Sequence, residues 1–294
     1  MASRSLEVLR TQPGSFDSQG VAITMWALGK LGARVDQELA TAMQRQAIEI
    51  ADDFNEQGVS NLLWGLATLG VEVDPQLVTV MQNRAIQVAD EFNSQGVSNL
   101  VWALAKLGMG VYPALAKAMK RRAIEIANTF KPQEVSNLMW GLATLGVEVD
   151  PQLVTVMQNR VIEIADEFNS QGVSNLVWAL AKLEMGEYPA LAKAMQRRAI
   201  EIAATFNEQG VANLMWGLAA LEVEVGPQLA EVMQDRAIEI ASDFNSQGVS
   251  NLMWAFMTLG VVVRGELLEA ILGRAIEIAA DFKPQEVANL VRAC

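Results

Sequence analysis

Hydrophobic residues recur along this chain at helical intervals. Val59, Leu62, Leu66 and Leu69 follow one another at steps of three and four residues, which predicts an amphipathic helix. A second apolar series begins near Leu77 and has the same spacing. Polar residues fill the positions between them, so each helix is expected to bury one face and expose the other.

The whole hydrophobic pattern repeats every 38 residues. Tryptophan marks the period without insertion or loss, at Trp26, Trp64, Trp102, Trp140, Trp178, Trp216 and Trp254. Seven repeats therefore occupy 16–281, with an N-terminal extension, 1–15, before them and a partial eighth repeat, 282–294, after them. Residues 54–129 and 130–205 differ at 11 of 76 positions, which indicates duplication of a two-repeat block.

Capping residues divide each repeat into two helices. Asn55 predicts the start of the first helix, and Gly70 predicts its left-handed C-cap. Asp74 followed by Pro75 predicts the start of the second helix. Helix pairs of fixed length cannot bury their apolar faces alone, so neighbouring repeats must stack. The sequence predicts an all-α fold, a right-handed α-solenoid of seven two-helix 38-residue repeats plus a partial eighth.

The first helix of the third repeat resembles a known family. Residues 92–108 read FNSQGVSNLVWALAKLG, and the string recurs with few changes in all seven repeats. This hallmark and the 38-residue period resemble the octotricopeptide repeat family. The resemblance implies an α-solenoid that binds single-stranded RNA on its concave face, with each repeat contacting about one base. It also implies a chloroplast or mitochondrial protein.

A polar stripe runs along the predicted first helix, roughly opposite the leucines. Gln57, Asn61, Trp64 and Thr68 are spaced by four, three and four residues, so they share one face. One interpretation is a groove in which the amides bond base edges and tryptophan stacks on bases. The other is that asparagine and tryptophan pack against the next repeat. The RNA-binding candidates on this stripe are Lys30, Thr68, Lys106, Thr144, Lys182, Asn61, Asn99, Asn137, Asn175, Gln57, Gln95, Gln133 and Gln171.

Two first-helix positions vary between repeats, as a modular base reader would require. One is the position of Lys30 and Thr68. The other lies two residues after the phenylalanine that begins each repeat, and it holds Ser18, Glu56, Ser94, Pro132, Ser170, Glu208 and Ser246. Neutral variation on a solvent-exposed face is the alternative explanation.

Arginine recurs on the second helix. Guanidinium groups suit phosphate, so the candidate phosphate contacts are Arg84, Arg122, Arg160 and Arg198. Three of these four have a glutamate three residues later, as Arg122 has Glu125. An ion pair within the helix is therefore the alternative role.

Composition excludes several kinds of chemistry. The chain has 294 residues, no histidine and a single cysteine, Cys294. Histidine-dependent nucleophilic catalysis and thiolate zinc cages are therefore excluded. We expect no catalytic residue, no metal and no cofactor. No segment is apolar over the length that a membrane span needs, so no membrane insertion is expected.

A net charge of −12 opposes binding of nucleic acid by charge alone. Most acidic residues, however, fall on the second helices and their flanks, which leaves the first-helix face near neutral. Two partners stay open: single-stranded RNA, or a protein for which the chain is a scaffold subunit. The fragment 282–294 continues the apolar stripe with Val287, Leu290 and Val291, and we expect a partner or self-association to cover it.

Overall fold

The computed structural model describes residues 16–185 and 189–293, with side chains up to residue 290. The predicted extension 1–15, the side chain of Val291 and residue Cys294 lie outside the described part. All regular structure there is helical, and the predicted α-solenoid of paired helices is confirmed. None of the described helices is long and apolar enough to cross a membrane.

Each repeat contributes a first and a second helix, which are numbered here in chain order. The first helices are α1 (Ser18–Lys30), α3 (Glu56–Leu69), α5 (Ser94–Lys106), α7 (Pro132–Thr144), α9 (Ser170–Lys182), α11 (Glu208–Ala220), α13 (Ser246–Thr258) and α15 (Pro284–Ala293). The second helices are α2 (Gln37–Glu49), α4 (Pro75–Gln87), α6 (Pro113–Glu125), α8 (Pro151–Glu163), α10 (Pro189–Glu201), α12 (Pro227–Glu239) and α14 (Gly265–Glu277).

A short 3-10 turn joins every second helix to the next first helix. Ala89–Glu91, for example, follows α4, and the same turn recurs after each second helix. Helix α4 ends at Gln87, and Asp90 and Glu91 lie in the 3-10 turn that follows it.

The chain forms two compact units, 1–157 and 158–294. In the first unit α1, α3, α5 and α7 pack in succession, and α2, α4 and α6 form a second layer beside them. In the second unit α9, α11, α13 and α15 pack in the same way beside α10, α12 and α14. First helices pack more closely on one another than second helices do.

The predicted caps are present. The Asn55 side chain accepts a hydrogen bond from the Gly58 backbone N–H at 2.8 Å, and Gly70 has a positive φ of 63°. Glu184 and Glu222 occupy the glycine position in two repeats, and both have φ of 55°. A left-handed conformation is unfavourable for a residue with a Cβ, so these two caps are strained.

The core lies between the two helix layers. The phenylalanine that begins each repeat is fully buried from the second repeat to the seventh, at Phe54, Phe92, Phe130, Phe168, Phe206 and Phe244. Leu62 and Leu66 of α3 are fully buried as well, as the helical spacing predicted. The opposite side of each first helix therefore faces away from the core and carries the polar stripe.

Candidate nucleic-acid interface

The polar stripe lies on the surface of the first helices in both units. Its glutamines are exposed, its asparagines and tryptophans are half-buried, and its Lys or Thr position is exposed in every repeat. This stripe is called the first-helix face below. It comprises the Gln, Asn, Trp and Lys/Thr positions of α1 to α13, except that Ile23 replaces asparagine in α1.

The tryptophans of neighbouring repeats contact one another ring to ring. The ring centroids are 6.5 Å apart for Trp26 and Trp64, and 6.4 Å apart for Trp64 and Trp102. In the second unit, those of Trp216 and Trp254 are 6.3 Å apart. The planes are tilted by 34° to 40°, within the usual range for aromatic pairs. Packing between repeats thus accounts for part of the tryptophan role.

The asparagines of the first-helix face behave differently from the capping asparagines. In the part of the chain that the structure describes, their side-chain amides form no hydrogen bond with protein at Asn61, Asn99, Asn137, Asn175, Asn213 and Asn251. The cap Asn93, by contrast, is bonded to the Gly96 backbone N–H at 2.8 Å. An amide has a donor and an acceptor side by side, so each repeat from the second to the seventh offers both to a ligand.

A polar groove of about 540 Å³ opens between α9 and α11 in the second unit. Gln171 and Asn175 line it from α9, Asn213 lines it from α11, and Arg198 reaches it from α10. The structure therefore brings together three of the predicted site residues, two from the stripe and one arginine. No carboxylate lines this groove.

The arginines of the second helices tie each second helix to the start of its own repeat. Arg198 donates through Nε to the Phe168 carbonyl oxygen at 2.8 Å and through Nη1 to Glu201 at 3.0 Å. The same bond, to the carbonyl oxygen of the phenylalanine 30 residues earlier, is donated by Arg84, Arg122, Arg236 and Arg274. The predicted ion pair is present, including Arg160 with Glu163 at 2.8 Å. The carbonyl contact was not predicted, because a backbone acceptor carries no sequence signal.

The lysines of the first-helix face have different surroundings. Lys182 Nζ lies 5.8 Å from the ring centroid of Trp178 and 4.9 Å from that of Trp216 in the next repeat. Lys30 and Lys106 are exposed and make no such contact with the described residues. Thr68, which occupies the same position, instead donates to the Trp64 carbonyl oxygen at 2.8 Å.

The second variable position has a structural role wherever it holds serine. Ser18 Oγ donates to the Asp53 carbonyl oxygen at 2.9 Å, and Ser170 Oγ donates to the Thr205 carbonyl oxygen at 2.9 Å. Ser94 and Ser246 make the equivalent bond. These hydroxyls tie the first helix of their repeats to the turn before the next repeat, so their O–H donors are used within the protein.

The first-helix face is close to neutral. Helices α1 to α13 of this layer contain three lysines and three glutamates, namely Lys30, Lys106, Lys182, Glu56, Glu134 and Glu208. The glutamates lie in the first turn of their helices. The Glu134 carboxylate accepts a hydrogen bond from the Lys131 backbone N–H at 3.0 Å. No group of three or more metal-ligating side chains occurs among the described residues.

Comparison with known proteins gives one family match. The model of the family described as RNA-editing substrate-binding complex 6 protein matches residues 2–224 and again residues 173–294. A solved engineered protein, a target of the Northeast Structural Genomics Consortium, is 15% identical in sequence to this chain. The alignment covers 99% of this chain and 77% of the engineered protein, with a TM-score of 0.24. No curated protein is a significant match.

Proposed function

The chain belongs to the RNA-editing substrate-binding complex 6 protein family, and from this membership we propose that it binds single-stranded RNA without catalysing a reaction. The family description names both RNA editing and substrate binding. The repeat resemblance implies a chloroplast or mitochondrial protein, and of these we propose the mitochondrion, which is compatible with the family membership. The octotricopeptide-like period supports a mode in which each repeat contacts about one base.

The observation that carries this proposal is the row of free amides on the first-helix face. Asn99 and Asn175 leave their amides unpaired with protein in the described part of the chain, next to tryptophans whose rings are half-buried. Amides bond to base edges, and aromatic rings stack on bases. A packing role alone explains the rings but leaves the amides without a function.

The experiment compares two asparagine substitutions on one helix. Asn99→Ala removes a free amide, so it should leave the melting temperature unchanged and weaken binding of single-stranded RNA by the whole chain. Asn93→Ala removes a cap and should cost about 1 kcal/mol of stability. Fluorescence anisotropy with labelled RNA gives the affinity. Unchanged RNA affinity in a folded Asn99→Ala/Asn175→Ala variant would exclude the first-helix face as the binding site.

The second candidate function is a protein-binding scaffold within a larger assembly. Exposed apolar side chains in the seventh repeat favour it, since Val262 is 86% exposed and Ile276 is 77% exposed. Where exposed apolar side chains form a contiguous patch, they mark a protein contact site. Capture of partners with and without nuclease separates the two functions, because only contacts through RNA are lost on digestion.

A further inference from the structure

The first-helix face presents nearly the same groups in every repeat. Gln57, Asn61 and Trp64 have identical counterparts in the third to seventh repeats. A reader of a mixed sequence must vary from repeat to repeat, as one-base-per-repeat readers do. This face instead offers the same donors, acceptors and ring to each successive nucleotide.

The face is regular in space as well as in sequence. The tryptophan centroids are 6.5 and 6.4 Å apart at two successive junctions of the first unit, and 6.3 Å apart at a junction of the second. Within each unit, this spacing means that a bound strand meets the paired rings in the same geometry. The regular spacing of the rings therefore favours a ligand whose groups recur at a regular interval.

One feature of the face changes at every second repeat. Lysine occupies its last position in the first, third and fifth repeats. Threonine or alanine occupies it in the others, at Thr68, Thr144, Ala220 and Thr258. Glycine alternates in the same way, at Gly65, Gly141 and Gly217, and alanine takes its place in the others. A Cβ on Gly217 would lie 3.0 Å from the Val177 backbone, so the helices approach closely at these junctions. From the first repeat to the sixth, the face thus has a period of two repeats.

The groups on this face can read bases rather than only attract phosphates. Three lysines are too few for binding dominated by charge, and the net charge of the chain is −12. The free amides supply direct hydrogen bonds, and a bidentate amide contact separates matching from non-matching bases by about tenfold or more. Identical amides in successive repeats bind the same base preferentially.

Resting on the proposed RNA-binding function, we propose that the ligand is a repetitive single-stranded RNA, whose sequence recurs with a period of two nucleotides. A homopolymer is the simplest case of this period. Each nucleotide of such a strand meets an equivalent site, and a shift by two repeats restores every contact. An irregular sequence cannot present the same base at every second repeat in any register.

The test measures binding of the whole chain to RNAs of equal length. The set contains the A, C and U homopolymers, the alternating AC and CU copolymers, and irregular sequences with the composition of each copolymer. The tightest regular RNA should bind about tenfold or more tightly than every irregular RNA. Irregular RNAs that bind as tightly as the best regular one would overturn the periodic ligand and leave RNA binding intact. Absence of binding to every RNA would overturn the proposed function itself.

A second measurement uses the best regular RNA with one substituted nucleotide. Because the sites are equivalent, the substitution should weaken binding by a similar factor at every interior position of the same parity. A single position at which substitution abolishes binding, with the others neutral, would contradict the proposal. Asn175→Ala serves as the protein counterpart, because it lies two repeats from Asn99, and its effect on affinity should match that of Asn99→Ala.

Discussion

The ammonium group of Lys182 lies 4.9 Å from the ring centroid of Trp216, in the next repeat of the chain. It also lies 5.8 Å from the ring centroid of Trp178 in its own repeat. One cation thus joins two neighbouring repeats on the first-helix face. A ligand that stacks on Trp216 must displace or share this lysine.

Lys182→Thr should lower the free energy of unfolding by about 0.5–1 kcal/mol, because it removes a cation–π contact at an exposed site. Lys106→Thr is the matched control. Its ammonium makes no such contact with the described residues, and Thr68 occupies the equivalent position in the second repeat. Urea denaturation of both variants measures the difference. Equal loss in the two variants would show that the contact with Trp216 does not stabilise the fold.

Gly217→Ala should destabilise the second unit by about 1–3 kcal/mol through overpacking. The added Cβ would lie 2.8 Å from Val177 Cγ1 and 3.0 Å from the Val177 backbone. Gly273→Ala, inside α14, is the control, because a Cβ there meets nothing within 4 Å. Helix propensity should make that variant more stable by up to about 1 kcal/mol. Thermal denaturation distinguishes the two, and a shift of the same sign in both would contradict the close approach.

Glu222→Gly should stabilise the chain by about 0.5–1 kcal/mol. Glu222 has φ of 55°, a conformation that glycine adopts without strain, and Gly260 occupies the same position with φ of 65°. The reverse change, Gly260→Glu, should cost a similar amount. Chemical denaturation gives both values, and a destabilised Glu222→Gly would show that its side chain has a compensating role.

Arg198→Leu should cost about 1–3 kcal/mol, because it leaves the Phe168 carbonyl oxygen without its charged donor. Glu201→Gln removes the ion pairs that this partly exposed carboxylate makes with Arg197 and Arg198, and it should cost less than about 1 kcal/mol. Equal losses in urea denaturation would assign the role of Arg198 to the ion pair instead.

Much of the fold could be predicted from the sequence because its signals are local and periodic. The step of 38 residues, the Asn55 cap and the Gly70 C-cap all lie within one repeat. Bonds between distant groups could not be predicted. Gln82, for example, donates to the Gly110 carbonyl oxygen at 3.0 Å and accepts from the Tyr112 backbone N–H at 2.7 Å. Such bonds join a buried side chain to the backbone of the next repeat, and a backbone group leaves no trace in the residue pattern.

The candidate site was predictable in position but not in its chemistry. Helical spacing placed Gln57, Asn61 and Trp64 on one face, and the structure has them there. Whether an asparagine amide is free or bonded depends on coordinates, since Asn55 and Asn61 are the same residue type on the same helix. The structural role of the serine at the second variable position could not be predicted either, because its hydroxyl donates to a carbonyl oxygen 35 residues away.

The salt dependence of RNA binding tests how much of the affinity is electrostatic. The first-helix face has only Lys30, Lys106 and Lys182 as cations. Neutralising about three phosphates gives a log–log slope of about −2 for a single strand. Lys106→Thr together with Lys182→Thr should preserve the fold, weaken RNA binding and reduce the slope to about −0.7. Titration of labelled RNA over a range of salt concentrations measures both slopes. A steep slope that the double variant leaves unchanged would place the RNA on the arginines of the second helices instead of the first-helix face.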